Sequence, residues 1–140
     1  PMVVYNFSVY NRRGVNLFYR EWERAAEPLA GEALAEHHRL VFGLIISMQA
    51  LCLQLAPRQG QEGLQSFRTN SYMLHYFESP SGVIFAMCTD PNTQVLRTTM
   101  WHIFSSLYVP LVTRNPLQQT GQKVTALKFS SALDEYVGTL

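Results

Sequence analysis

"SFRTNSYMLHYFESPSGVIFAMCTD", residues 66–90, is the stretch whose reading decides the fold. With its flanks it divides into three runs, "LQSFRTN", "YMLHYFES" and "VIFAMCTD", rich in aromatic and aliphatic residues and bounded by turn formers, which predicts three strands. Asn70-Ser71 suits a tight turn between the first two, and Ser79-Pro80-Ser81-Gly82 the second turn. Phe67, Tyr72, Tyr76, Phe77 and Phe85 make these hairpins strongly aromatic. Such side chains can fill a core beneath helices, or they can wall a ligand pocket.

Upstream, "MVVYNFSVY" alternates, placing Val3, Tyr5, Phe7 and Val9 on one face as a half-buried strand requires. "NRRG" ends on a glycine able to take positive φ, and "VNLFYREWE" resumes the strand pattern, so the two form a β-hairpin. "RAAEPLAGEA" is expected to be a loop. From Leu34 to Leu55 the chain is helical, interrupted only by Gly43 and stopped by Pro57. "RQGQEG" connects it to the three strands.

Downstream, "TDPNTQ" opens a second long helix. Leu96, Met100, Ile103, Phe104, Leu107 and Leu111 recur every three or four residues as one apolar stripe. Pro110 removes a backbone donor inside that stripe and predicts a kink or break. "RNPLQQTGQ" is a loop, and "SSALDEYVGTL" a short terminal helix capped by Ser130 or Ser131. The order β-β-α-β-β-β-α-α describes a layered α+β domain, with five mostly antiparallel strands and helices packed on them. No internal repeat is visible, and 140 residues is the size of one domain.

Composition narrows the function. Only 15% of residues are charged, against about 25% in ordinary soluble domains, so part of the surface is expected to be covered by partners. Eleven basic and ten acidic residues give a formal net charge of +1. That balance creates no field for nucleic acid or anionic lipid. Cys52 and Cys88 are too few for a disulfide framework and fit a reducing compartment. The longest apolar segment, "LVFGLIISMQALCLQL", is broken by Ser47, Gln49 and Gln54, so no transmembrane span is expected.

Chemistry is sparse. Gly60 and Gly63 do not make a phosphate cradle. His37 and His38 diverge by roughly 100° on a helix, while His75 and His102 lie on other elements, so no metal site is expected. Nothing in the sequence activates Cys88 as a nucleophile. Glu21, Glu23, Glu78, Asp90, Asp134 and Glu135 form no carboxylate pair. No catalytic, cofactor or metal residue is expected.

The first helix carries more. Val41, Leu44, Met48, Leu51 and Leu55 share a stripe that His37 continues, and this stripe is expected to face the core. Phe42, Ile46 and Leu53 form a second stripe, bordered by Arg39 and Gln49. A helix lying on a sheet needs one apolar stripe, not two. Arg39, Phe42, Ile46, Gln49 and Leu53 are therefore the candidate partner interface.

The sequence resembles the small longin-like subunits of the transport protein particle (TRAPP), of the subunit-one type, related to sybindin and sedlin. "YNFSVYNRRGVNLFYREW", "LVFGLIISMQAL", "FRTNSYMLHYFESPSGVIFAMCTD", "SSLYVPLVTRNPL" and "FSSALDEYVGTL" carry the resemblance, which spans the whole chain as one longin-like domain. Pro110 departs from the helix former expected there, and "RAAEPLAGEALAEHH" lacks the usual lysines. The resemblance implies a five-stranded sheet sandwiched by helices in the profilin-like arrangement. It also implies a non-enzymatic subunit, cytoplasmic and peripheral at endoplasmic reticulum and Golgi membranes. Its partners would be sister TRAPP subunits and, through the complex, a Rab-type GTPase whose nucleotide exchange the complex promotes. On this reading the hairpin aromatics fill the core. The rival readings are a longin-like small chain of a vesicle coat that binds cargo peptides, and a small enzyme built on a buried Cys88.

Overall fold

A computed structural model describes residues 3–22, 30–55, 66–93, 96–118, 123–124 and 127–140. Pro57 and "RQGQEG" lie outside these residues. Five antiparallel strands, β1 (Val4–Tyr10), β2 (Asn16–Glu21), β3 (Ser66–Arg68), β4 (Met73–Glu78) and β5 (Ile84–Thr89), form one sheet in the order β2-β1-β5-β4-β3. Helix α1 (Gly31–Leu55) covers one face. The other face carries α2 (Arg97–His102), its π-helical continuation Ile103–Thr113, and α3 (Leu127–Gly138). The expected element order is present.

The predicted turns explain why the strands pair as they do. Asn11 Oδ1 accepts hydrogen bonds from the Arg13 and Val15 amides (2.9 and 3.0 Å), closing the first hairpin. Gly14 there has φ +87°. At the second turn, Thr69 Oγ1 accepts from the amides of Ser71 and Tyr72. At the third, the Gly82 amide donates to the Ser79 carbonyl at 2.9 Å, and Gly82 has φ +89°. Both glycines occupy the left-handed region that other residues enter at a cost.

The two sheet faces divide the aromatic residues. Phe7, Phe18, Phe85, Met87, Met100, Ile103, Tyr108, Phe129 and Leu133 form the larger core, with Phe77 packed against it. On the α1 side, Tyr10, Ile45, Leu74, Ile84 and Ala86 form a smaller one, flanked by Phe67, Tyr72 and Tyr76. The hairpin aromatics thus pack on both faces.

Three local features differ from the sequence-based expectation. In β1, an irregularity between Val4 and Asn6 inserts Tyr5 as an extra residue opposite β5. Beyond such a bulge the alternation reverses, so Val4 joins the core with Phe7 and Val9, and Tyr5 is only partly buried. Pro110 does not break its helix, which continues to Thr113 as a π-helix. The i→i+5 bonding of a π-helix widens each turn. The deepest residues are accordingly Ile103, Tyr108 and Val112, spaced five and four apart, with Leu107 and Leu111 only partly buried. The terminal helix starts at Leu127, so Ser130 and Ser131 lie inside it and do not cap it.

Asp134 ties that helix to the sheet edge. Its carboxylate accepts from Arg20 Nε and Nη2 (3.0 and 2.7 Å) and from Trp22 Nε1 (2.9 Å).

Candidate interaction surface

Helix α1 runs 25 residues, three longer at its start than the sequence predicts, yet only Ile45 in it is fully buried. By length and composition it is apolar enough to cross a membrane. Ser47, Gln49 and Gln54 are too few to prevent that, which corrects the sequence-based expectation. Here it lies on the sheet, with Ile45, Val41 and Phe42 against Tyr10, Leu74, Ile84 and Ala86.

The line of contact is not either predicted stripe. At about 100° per residue, the Leu44 stripe and the Ile46 stripe each centre about 80° from Ile45, on opposite sides. The sheet takes the line between them. Phe42, expected on the outer stripe, packs against Tyr10 with ring centroids 5.5 Å apart. Leu44, Leu51 and Leu55, expected in the core, are exposed. Leu44 and Ile46 are nearly equal in exposure, 40% and 43%. They are mirror positions on the two shoulders of one docked face.

The other candidates fall as follows. Leu53 is exposed beyond Ile46, and Gln49 is half-buried beside the docked line. Arg39 is exposed and held on its own helix by Glu36 Oε2 (2.5 and 3.1 Å) and Glu32 Oε1 (3.1 Å). Its hydrogen bonds to Glu36 and then Glu32 raise its pKa. The candidate set is thus split: Ile46 and Leu53 form an apolar shoulder, Arg39 its charged margin, and Phe42 belongs to the core. The opposite shoulder of Leu44, Leu51 and Leu55, together with exposed Leu40 on the outer side, was missed as a surface. Its apolar character was visible in sequence, but not its direction.

Titratable groups near α1 show what burial does. His38 lies against Tyr19 at 4.9 Å and near His37 at 5.8 Å between ring centroids. Desolvation, then the neighbouring His37 and Lys123 charges, lower its pKa to about 4. On the opposite sheet face, buried His75 meets Thr89 Oγ1 at 2.9 Å, and desolvation brings it down to about 4 as well. Burial pushes the Cys88 thiol up to about 12, so at neutral pH it is protonated and a poor nucleophile. No group of three metal-ligating side chains occurs among the described residues. An open groove of about 570 Å³ lies by the third turn, between Phe77, Pro80 and the exposed Trp101.

Residues 4–140 match the Sybindin-like family. The chain belongs to that family. Its relatives include trafficking protein particle complex subunit 1 of Homo sapiens, 38% identical over 99% of this chain and 94% of that protein. The Dictyostelium discoideum protein of the same name is 28% identical, covering 96% of this chain and 94% of its own. Trafficking protein particle complex subunit BET5 of Saccharomyces cerevisiae is 24% identical over 99% and 98%. Family membership thus takes in the sheet, α1 with both its shoulders, and the terminal helix.

Proposed function

We propose that this chain is a non-catalytic scaffold subunit of a trafficking protein particle complex, in the place its subunit-1 relatives occupy. On this reading the assembled complex promotes guanine-nucleotide exchange on a Rab-type GTPase in traffic between endoplasmic reticulum and Golgi. The chain would be cytoplasmic and reach membranes only through the complex. The relatives' names support complex membership, and one observation on this molecule supports a role built on protein contacts. Helix α1 leaves Leu44, Ile46, Leu51, Leu53 and Leu55 exposed on both sides of its docked line. Contiguous apolar surface of this kind marks an interaction site.

The physical role of such a subunit is differential binding. A complex that binds the nucleotide-free GTPase more tightly than the loaded form shifts the population toward release. The chain contributes surface to that discrimination and no acid, base or nucleophile. The test is to reconstitute the complex from its sister subunits with and without this chain, then follow release of fluorescent GDP from a Rab-type GTPase. Stoichiometric incorporation with faster release is expected. Failure to incorporate would overturn the subunit assignment, and incorporation with unchanged release would overturn the role in exchange.

A further inference from the structure

The groove by the third turn lies on the sheet face opposite α1. Phe77, Glu78 and Pro80 line it from β4 and the turn, and Arg97 and Trp101 line it from α2. Trp101 is 50% exposed, although its indole is among the largest apolar surfaces in the chain. The Phe77 and Trp101 rings stand at 68° to one another, centroids 5.9 Å apart. Phe104 packs against both rings, at 5.7 and 5.6 Å, and against the buried Phe85 at 5.9 Å. The two rings therefore form a corner that is anchored to the core and already in place without a ligand.

The chemistry of that corner is selective. Aromatic faces carry negative charge density and attract a cation, most strongly one that gives up little hydration. Glu78, exposed on the same groove, adds a full negative charge. A methylated ammonium suits such a corner better than a bare one, since its methyl groups also cover apolar area. Arg97, exposed on the facing helix, brings a positive charge to the groove. That charge disfavours a simple cation and suits a ligand whose ammonium is linked to a phosphate, which guanidinium recognises well. Such a zwitterion needs no net field from the protein, in keeping with a formal net charge of +1. The groove volume of about 570 Å³ is that of a small-ligand site.

We propose that this groove binds a phosphocholine group, with the trimethylammonium in the Phe77–Trp101 corner beside Glu78 and the phosphate toward Arg97. The group can come from a lipid headgroup or from a soluble phosphocholine ester. The site is across the sheet from the exposed shoulders of α1 and stands whether or not those bind a partner.

Saturation-transfer NMR on the methyl resonance of phosphocholine, titrated into the full chain, tests the proposal. Saturable binding is expected, with choline and inorganic phosphate each at least about tenfold weaker. Trp101→Leu and Glu78→Gln, each checked for its far-UV spectrum, should weaken phosphocholine binding by about tenfold or more. Glu78 is exposed, so its variant stays readable if Trp101→Leu fails to fold. Arg97→Gln should remove the preference for phosphocholine over choline. Absence of saturable binding, or binding undiminished in the Trp101 and Glu78 variants, would overturn the site. Choline bound as tightly as phosphocholine would overturn the pairing of the two charges. Sedimentation with phosphatidylcholine vesicles separates the sources: pelleting that free phosphocholine blocks assigns the lipid headgroup, and binding of phosphocholine without pelleting assigns the soluble ester.

Discussion

Truncating Ile45 and its two neighbours measures which line of α1 is docked. Ile45 is fully buried and touches the Tyr10, Leu74, Ile84 and Ala86 cluster. Ile45→Ala removes its outer carbons and leaves a cavity in that cluster, which costs about 2–5 kcal/mol. For a domain of this size each kcal/mol lowers Tm by about 3 °C. The expected fall is therefore about 6–15 °C. Leu44→Ala and Ile46→Ala act on half-exposed shoulders and should each cost about 1 kcal/mol or less, roughly 3 °C. Thermal unfolding of the three variants by circular dichroism decides between docked lines. A Leu44→Ala loss as large as that of Ile45→Ala would mean the helix docks on its Leu44 stripe, and the reasoning about shoulders would fail.

Gly14→Ala should cost more than about 1 kcal/mol, since φ +87° is strained for alanine and the new Cβ would lie 2.8 Å from the Phe42 ring; a melt unchanged within error would contradict that contact. His75 titrates at about 4 when folded against 6.5 as its ordinary value. The unfolded chain therefore binds the extra proton, so stability is full above pH 6.5 and falls as pH drops toward 4, by at most about 1.4 kcal/mol per pH unit. A His75→Asn variant should show a shallower loss over that window in chemical unfolding at stepped pH, and an identical slope would remove His75 from the account. Cys88 should resist thiol-specific labelling in the native chain at pH 7 and react on unfolding; rapid native labelling would show that its thiol is not held protonated by burial.

The strands were legible because pleating imposes period two and the turn residues sit where positive φ or side-chain capping is required. Tyr5 escaped that logic. A bulge depends on how two strands meet, which neither strand's own pattern contains. Pro110 removes a backbone donor and so predicts a kink or break, but i→i+5 bonding carries the helix past it and places Tyr108 and Val112 where the 3.6 period puts Leu107 and Leu111. The exposed apolar surface of α1 was half legible. Apolar residues cover so much of α1 that a helical wheel shows two stripes, and nothing local says that the sheet takes the line between them. Phe42 was therefore placed outward and Leu44 inward, when Gly14 and Tyr10 hold Phe42 in and leave Leu44 in solvent.

The most direct measurement is assembly of the Ile46→Asp chain with sister subunits of a trafficking protein particle complex. Ile46 is 43% exposed in the isolated chain, so the variant should keep its far-UV spectrum and melt within a few degrees of the parent. An unpaired carboxylate in a desolvated interface should cost on the order of 2–4 kcal/mol, roughly 30- to 1,000-fold in affinity. Size-exclusion chromatography of the mixture should therefore show a folded variant left out of the complex. A folded Ile46→Asp chain that co-elutes stoichiometrically at the parent's concentration dependence would contradict the claim that this shoulder of α1 is a subunit contact.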